Sequence, residues 1–213
     1  MILDTKIADQ TADFLLQINA IKLNLENPFQ WASGWKSPIY CDNRLALSYP
    51  EIRQFLGKSM AQSVSNKYPQ TTHIAGVATG AIGIGLLVAE VLNLPFVYVR
   101  PEAKKHGRKN QVEGQLPKNA QVVVIEDLIS TGKSSLNAVQ ALKEAQAKVL
   151  GMLAIFTYGF PLADTHFESA QIPLNTLCDY KHLIHHAVEV GRIDASQVEL
   201  LQDWRQAPES WQP

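Results

Sequence analysis

The sequence predicts an α/β fold, with a central and mostly parallel β-sheet flanked by helices. Through the middle of the chain, apolar segments with strand character alternate with helical segments, as in successive βαβ units. The segments VVVI and VLGMLAIF are apolar without a period of two, which is typical of parallel strands covered on both faces. The 213 residues, 46% hydrophobic and 18% charged, suit one folded domain with its own core.

The individual elements follow from periodicity and from helix-start signals. Apolar residues at helical spacing define the first helix, and Pro50 is tolerated near the start of the second because the first amides of a helix have no partner. Two more helices are expected after Asp179 and Asp194, which are placed as N-caps. The remaining assignments are helices at about 9–23, 49–66, 81–92 and 133–145, and strands at 73–78, 95–99, 122–126 and 149–156.

The segment 30–47 departs from this alternation. It mixes Gly34, Pro38, aromatic residues and short β-prone pieces, which predicts a hairpin-like excursion outside the main repeat. We therefore expect a single domain over residues 1–213. Its core covers about 49–160, and a small subdomain, the hood, consists of about 25–48 and part of the C-terminal region.

Charge and cysteine content narrow the possible partners. The net charge of -1 gives no overall attraction to nucleic acid or to an anionic membrane, so neither is expected as a partner and an anionic ligand needs a local cluster. Cys41 and Cys178 lack metal-site spacing and are interpreted as reduced thiols. The first ten residues resemble neither a secretory signal nor a transit peptide, so a cytoplasmic protein is expected.

The stretch VVVIEDLISTGKSS, residues 122–135, predicts a strand that ends in two carboxylates and a small-residue turn that begins a helix. Ligands of open α/β sheets bind beyond the carboxyl ends of the strands, and a helix N-terminus presents free amides to phosphate. A nucleoside triphosphatase P-loop is one alternative, but Asp127 stands where its first glycine is required. A second alternative is that Glu126 and Asp127 only cap the helix.

This stretch resembles the motif of the type I phosphoribosyltransferases that binds phosphoribosyl pyrophosphate (PRPP). The resemblance implies the fold of that family, with a hood and a flexible catalytic loop. It also implies that Glu126 and Asp127 face the ribose hydroxyls and that Asp127 takes part in catalysis. The other implied PRPP contacts are Leu128, Ile129, Ser130, Thr131, Gly132, Lys133 and Ser134.

The polar run RPEAKKHGRKNQVEG, residues 100–114, is rich in lysine and arginine. A solvated loop is the ordinary interpretation of such a run, but it also resembles the catalytic loop of orotate phosphoribosyltransferases in particular. That resemblance implies that Arg100, Lys104 and His106 are catalytic and contact the pyrophosphate, with Lys105 contributing to PRPP binding. It further implies a homodimer in which this loop completes the neighbouring site. Pro101 stands where a lysine is often found.

Two further segments extend the resemblance, which runs from Trp31 to Phe156. SGWKSPIYCDNR, residues 33–44, is similar to the hood of the same enzymes and implies orotate contacts near Ile39 and Tyr40. GVATGAIGIG, residues 76–85, implies pyrophosphate contacts at Thr79 and Gly80. Ser130 is implied to touch orotate as well. Ala32 and Gly80 replace lysines of some relatives.

Together these segments imply a reaction that transfers ribose 5-phosphate from PRPP to orotate, a step of pyrimidine nucleotide synthesis. Mg²⁺ is the expected cofactor, held mainly by PRPP and without a direct protein ligand. Two alternatives stay open: a phosphoribosyltransferase for another base, which would share the 122–135 motif, and a regulator that senses PRPP with the same fold. The second predicts a basic face, which the charge does not indicate.

Overall fold

The computed structural model describes residues 2–31, 33–102 and 111–212. In chain order the helices are α1 (Thr5–Gln17), α2 (Pro50–Lys67), α3 (Ala81–Leu92), α4 (Lys133–Glu144), α5 (Pro161–Ser169), α6 (Tyr180–Glu189) and α7 (Val198–Gln206). The strands are β1 (Ile21–Leu23), β2 (Phe29–Gln30), β3 (Lys36–Ser37), β4 (Ile39–Cys41), β5 (His73–Val77), β6 (Phe96–Val99), β7 (Val112–Glu113), β8 (Gln121–Ile129), β9 (Lys148–Thr157) and β10 (Leu174–Asp179). Short 3₁₀ helices lie at Asn43–Ser48 and Ala195–Gln197.

The main sheet has six strands in the order β10-β9-β8-β5-β6-β7. All its neighbours pair in parallel except β7, which runs antiparallel to β6. Along β8, Val123 and Ile125 belong to the core on one face of the sheet, while Val122 and Val124 belong to the core on the other. Both faces are therefore covered, and the predicted α/β architecture is confirmed.

The strand order creates a crevice between β5 and β8. From β5 the chain continues to β6 on one side, whereas from β8 it continues to β9 and β10 on the other. Such a switch in direction leaves a gap beyond the carboxyl ends of the two central strands, where ligands of α/β proteins bind. Thr79, just after β5, and the acidic residues Glu126 and Asp127 of β8 lie at this gap.

Two small antiparallel ribbons form the N-terminal part of the hood. β1 pairs with β4 and β2 pairs with β3. Trp204 of α7 is fully buried against this region: its ring lies 5.7 Å from that of Trp31, and its Nε1 donates to the carbonyl oxygen of Lys36 at 3.1 Å. The C-terminal helix thus packs against a segment that is 168 residues away in the chain.

The prediction of the first helix was wrong at its end. α1 stops at Gln17, and residues 21–23 form β1 instead of a last helical turn. Asn19 adopts a left-handed φ of 54°, a conformation that asparagine tolerates just after a helix and that turns the chain away. Pairing with β4 then decides the conformation of Ile21–Leu23.

Helix α5, strand β10 and the end of strand β8 also differ from the sequence-based expectations. α5 and β10 were not predicted, because the segments that form them show little periodicity. β8 continues past the two carboxylates to Ile129, so Leu128 and Ile129 belong to the strand and not to the turn. In the described ranges, no helix is both long and apolar enough to cross a bilayer.

Candidate active site

A cavity of about 390 Å³ opens at the carboxyl edge of the sheet. Three parts of the chain line it: the hood, the loop that follows β5, and the end of β8 with the start of α4. The lining residues are Cys41, Asp42, Arg44, Val77, Ala78, Thr79, Gly80, Glu126, Asp127, Leu128 and Ser134. This cavity thus combines several carboxylates and hydroxyls with the N-terminus of α4 at the carboxyl edge of the sheet.

A second cavity, of about 410 Å³, lies between α6 and α7. Apolar residues such as Ile184, Val188 and Val198 contribute to its walls. None of the residues that end β5 or β8 lines it. Lys181, His185, Glu189 and Arg205 also line it. The acidic pair at the end of a central strand is what distinguishes the first cavity, which we call the sheet-edge cavity.

The acidic pair stands at the centre of the sheet-edge cavity wall. Glu126 is only 5% exposed. Its carboxyl accepts the hydroxyl hydrogen of Ser135 at 2.8 Å and the backbone N–H of Asp127 at 3.0 Å. Burial, followed by the negative charge of Asp127, raises the pKa of Glu126 well above its usual range, because both effects oppose a second charge in a poorly hydrated site. The two carboxyls therefore retain a proton to higher pH than separate ones would.

The turn between β8 and α4 is shaped by Gly132. This residue has a φ of 78°, in the left-handed region, and a Cβ atom there would lie 2.7 Å from the ring of Phe167. α4 begins at the next residue without a side-chain cap, so its first amides are unpaired within the helix. Exposed Lys133 and Ser134 follow. The turn can therefore present backbone N–H groups and hydroxyls to an anion.

His166 of α5 is hydrogen-bonded to this turn. Its Nδ1 lies 2.8 Å from the carbonyl oxygen of Thr131. A carbonyl oxygen can only accept, so Nδ1 carries the hydrogen and donates it. The hydrogen bond links the turn to the helix that also provides Phe167, and α5 thereby fixes the position of the turn.

The loop after β5 lies close to Asp127 of the acidic pair. Thr79 is exposed, and the peptide bond between Ala78 and Thr79 is cis. A side chain at Gly80 would collide with the carboxylate of Asp127. Glycine at position 80 therefore permits close contact between this loop and β8.

The hood contributes a charged pair and a buried amide. Arg44 donates from Nε and Nη2 to the two carboxyl oxygens of Asp42, at 2.6 and 2.8 Å. Asn43, between them, is 2% exposed, and its Nδ2 donates to the carbonyl oxygen of Asp127 at 2.6 Å. Burial, reinforced by the charges of Asp127 and Asp42, raises the pKa of the Cys41 thiol. The Cys41 thiol therefore keeps its proton to higher pH than an ordinary cysteine does.

The structure brings together part of the predicted site. Thr79, Gly80, Glu126, Asp127, Leu128 and Ser134 all line the sheet-edge cavity. Ser130, Thr131 and Gly132 lie in the adjoining turn and Lys133 begins α4, but these four residues do not line the cavity. Lys104, Lys105 and His106 lie outside the described residues.

Four predicted residues are placed elsewhere. Ile129 is fully buried in the core on the α4 face. Ile39 is also fully buried, and its backbone is engaged: its N–H donates to Ser37, and its carbonyl accepts from Ser37 and from Trp31. Tyr40 is 42% exposed and packs on Phe29. Arg100 is paired with Glu113 at 3.5 Å and does not line the cavity.

Cys41, Asp42, Asn43 and Arg44 were not among the predicted site residues. Three of them line the cavity and the fourth is bonded to Asp127. In the sequence they lie within the segment 33–44 that resembles the hood, as a polar run, CDNR, directly after a short β-prone segment. Such a run is ordinary for a surface turn, so it carried no indication of a contact with β8.

Comparison with known proteins adds a family to this geometry. The family model for the phosphoribosyl transferase domain matches residues 48–165. The chain is 54% identical over 200 residues to the orotate phosphoribosyltransferase of Porphyromonas gingivalis, covering 94% of this chain and 95% of the relative. It is 53% identical over 201 residues to the orotate phosphoribosyltransferase of Phocaeicola vulgatus, with 94% and 95% covered.

A solved structure agrees with these relatives. The crystal structure of orotate phosphoribosyltransferase from Aeropyrum pernix superposes with a TM-score of 0.74 at 27% identity. The match covers 85% of this chain and 98% of that one. Sequence and fold therefore indicate the same group of enzymes.

Proposed function

The chain belongs to the phosphoribosyltransferase family, among the orotate phosphoribosyltransferases, and on that premise we propose how its sheet-edge cavity performs the transfer. Its substrates are PRPP and orotate, and its products are orotidine 5'-phosphate and pyrophosphate. The observation that carries the proposal is the placement of the acidic pair directly before a glycine turn and an uncapped helix N-terminus. Ribose hydroxyls need acceptors and phosphate needs donors, and the two sets are adjacent here.

We assign each part of PRPP to one wall of the cavity. The ribose hydroxyls donate to Glu126 and Asp127. The 5-phosphate binds the segment from Leu128 to Ser134, which comprises the end of β8, the turn and the start of α4. The pyrophosphate lies against Thr79 and Gly80, where Arg100, Lys104, Lys105 and His106 join it from the loop. Orotate binds under the hood and contacts Ser130, with Cys41 nearer to it than Ile39, because Cys41 lines the cavity and the backbone groups of Ile39 are already engaged.

The reaction moves one electron pair in and one out at C1 of the ribose. The C1–O bond to pyrophosphate breaks, with its electrons leaving on the pyrophosphate oxygen. N1 of orotate supplies the pair for the new C1–N bond, and the proton that N1 loses passes to the pyrophosphate or to water. Positive charge develops on the ribose meanwhile. Glu126 and Asp127 stabilise this charge, and the loop cations stabilise the departing pyrophosphate. Orientation of the two substrates supplies the rest of the acceleration.

Mg²⁺ is proposed to enter with PRPP. In residues 2–31, 33–102 and 111–212, no three His, Cys, Asp or Glu side chains form a group that could hold a metal ion. Asp42, Glu126 and Asp127 line the cavity, and they would meet the ion through its water ligands while PRPP oxygens hold it. When bound, the ion neutralises charge on the leaving pyrophosphate.

We further propose a homodimer in which the 100–114 loop of one subunit completes the site of the other. Two observations support it. Arg100 lies outside the lining of the sheet-edge cavity of its own chain. Leu86 and Val91 of α3 are each more than half exposed, and large exposed apolar side chains favour contact with another subunit. The cytoplasmic location stays a prediction.

An absorbance assay tests the proposed reaction. Purified protein is mixed with PRPP, Mg²⁺ and orotate, and parallel reactions contain uracil, hypoxanthine, guanine or adenine instead. We expect consumption of orotate alone, dependent on PRPP. Consumption of another base would move the function to a different phosphoribosyltransferase, and no turnover with any base would favour a PRPP-sensing regulator.

A further inference from the structure

Asn43 connects the hood to the acidic pair through a buried hydrogen bond. Its Nδ2 donates to the carbonyl oxygen of Asp127 at 2.6 Å, across 84 residues of chain. Its Oδ1 accepts the S–H of Cys41 at 3.1 Å. Both ends of the amide are therefore engaged, and the side chain is almost completely removed from solvent. Cys41 lies on one wall of the sheet-edge cavity and Asp127 on the other.

The chemistry of the partners fixes the orientation of this amide. The carbonyl oxygen of Asp127 can only accept a hydrogen bond, so the NH₂ group of Asn43 must face it. The amide oxygen then faces Cys41, which remains a thiol because burial raises its pKa. Reversing the amide would leave two acceptors in contact and the thiol hydrogen without a partner, which is costly in a buried site.

The position of the accepting carbonyl explains why a donor is needed there. β8 pairs with β9 as far as Ile129, but its pairing with β5 ends at Ile125. Asp127 thus lies beyond the last residue that β5 holds. Asn43 donates to the strand in the region that β5 has left, so a hood side chain takes the place of a neighbouring strand.

We propose that Asn43 is a positioning residue that sets the distance between the base and the ribose during transfer. The inference rests on the proposed function, in which the hood holds orotate and Asp127 holds the ribose. Bond formation between N1 and C1 requires the two substrates to meet in one geometry, and a displacement of about 1 Å can lower the rate on the order of 10²-fold. The Asn43 side chain links the 3₁₀ helix of the hood to the Asp127 main chain.

The substitution Asn43→Asp tests this role with almost no change in volume. A carboxylate oxygen in place of the NH₂ group repels the carbonyl oxygen of Asp127, whereas a protonated carboxyl donates to it as the amide does. The groups that face position 43 are Cys41 of β4, the flanking Asp42 and Arg44, and Glu126 and Asp127 of β8. The new carboxyl will therefore take up a proton as the pH falls.

The expected result is a pH-dependent loss. At mildly alkaline pH, Asn43→Asp lowers kcat with orotate on the order of 10²-fold, while the KM for PRPP changes much less. The ratio of variant to wild-type kcat recovers as the pH is lowered, since the protonated side chain restores the donor. Asn43→Ala, which has no donor at any pH, loses kcat without recovery.

Asn175→Asp is the matched control. Asn175 is also 2% exposed and uses both ends of its amide, with Lys67 and Tyr68, but it does not line the sheet-edge cavity. The Asn175→Asp variant should retain the wild-type kcat at every pH. If Asn43→Asp does not fold, as judged by circular dichroism, Asn43→Ser replaces it: its hydroxyl keeps a donor, and its kcat should exceed that of Asn43→Ala.

Two results would overturn the inference: unchanged kcat in Asn43→Ala, or a kcat loss in Asn43→Asp that is the same at every pH. If Asn43→Ser is used instead, a kcat no higher than that of Asn43→Ala would also overturn the inference. Wild-type turnover separates this outcome from failure of the proposed function. If the wild type consumes another base, the function is revised and the same variants are measured with that base. If it transfers no base, both ideas fail.

Discussion

Replacement of Gly132 by alanine should strain the turn between β8 and α4, which we propose binds phosphate, in two separate ways. The left-handed φ of 78° is unfavourable for a residue with a side chain, at a cost of about 1–2 kcal/mol. The new methyl would also lie 2.7 Å from Cε2 of Phe167, which is buried under the turn. Overpacking of that kind costs about 1–3 kcal/mol. Together Gly132→Ala should lower the free energy of unfolding by about 2–5 kcal/mol.

Gly191→Ala separates the two contributions. Gly191 has a similar φ of 69°, but no atom lies within 4 Å of a Cβ placed there. It should therefore lose only the conformational part, about 1–2 kcal/mol. Urea unfolding of the wild type and both variants measures the difference, and Phe167→Leu in the Gly132→Ala background should recover part of the steric loss. The reasoning is refuted if Gly132→Ala is no more destabilised than Gly191→Ala.

Three other substitutions test the walls of the sheet-edge cavity. Gly80→Ala should displace the Asp127 carboxylate and lower kcat/KM for PRPP on the order of 10²-fold, whereas Gly83→Ala meets only the flexible side chain of Leu47 and should retain turnover; equal effects would contradict the proposed contact. Lys104→Ala should lower kcat about 10²-fold with an unchanged unfolding midpoint, and near-normal turnover would reject its assigned role. The pKa of Glu126 is higher in the folded protein than in the unfolded chain. As the pH rises from the unfolded-state pKa to the folded-state pKa, ionisation of Glu126 therefore lowers the stability of the folded protein. Glu126→Gln should therefore have a higher thermal midpoint than the wild type at alkaline pH, a difference that vanishes in acid, and should transfer less ribose phosphate; a pH-independent difference would exclude this explanation.

The central part of the fold could be predicted because local pattern and tertiary environment agree there. α3 begins and ends at the predicted residues, and α4 differs from its prediction by one residue. The apolar run of β8 predicts a strand that is buried on both faces, and the sheet buries it on both faces. β1 and β10 lack this agreement: β1 continues a helical pattern, and both strands form by pairing with distant segments. Tertiary pairing, which a local window does not contain, decides such segments.

The same contrast divides the sheet-edge cavity. The proposed phosphate site consists of successive amides and hydroxyls, which need only a contiguous strand, turn and helix. Residues 122–135 therefore contain most of its groups in their own order. The hood wall is assembled differently. Asn43 meets Asp127, Trp204 holds the carbonyl of Lys36, and Arg205 donates to the carbonyl oxygen of Gly159 at 3.0 Å. Each of these contacts joins segments that no motif relates. Residues that select the base should therefore be sought in the hood and α7, by substitutions that change specificity while PRPP binding is retained.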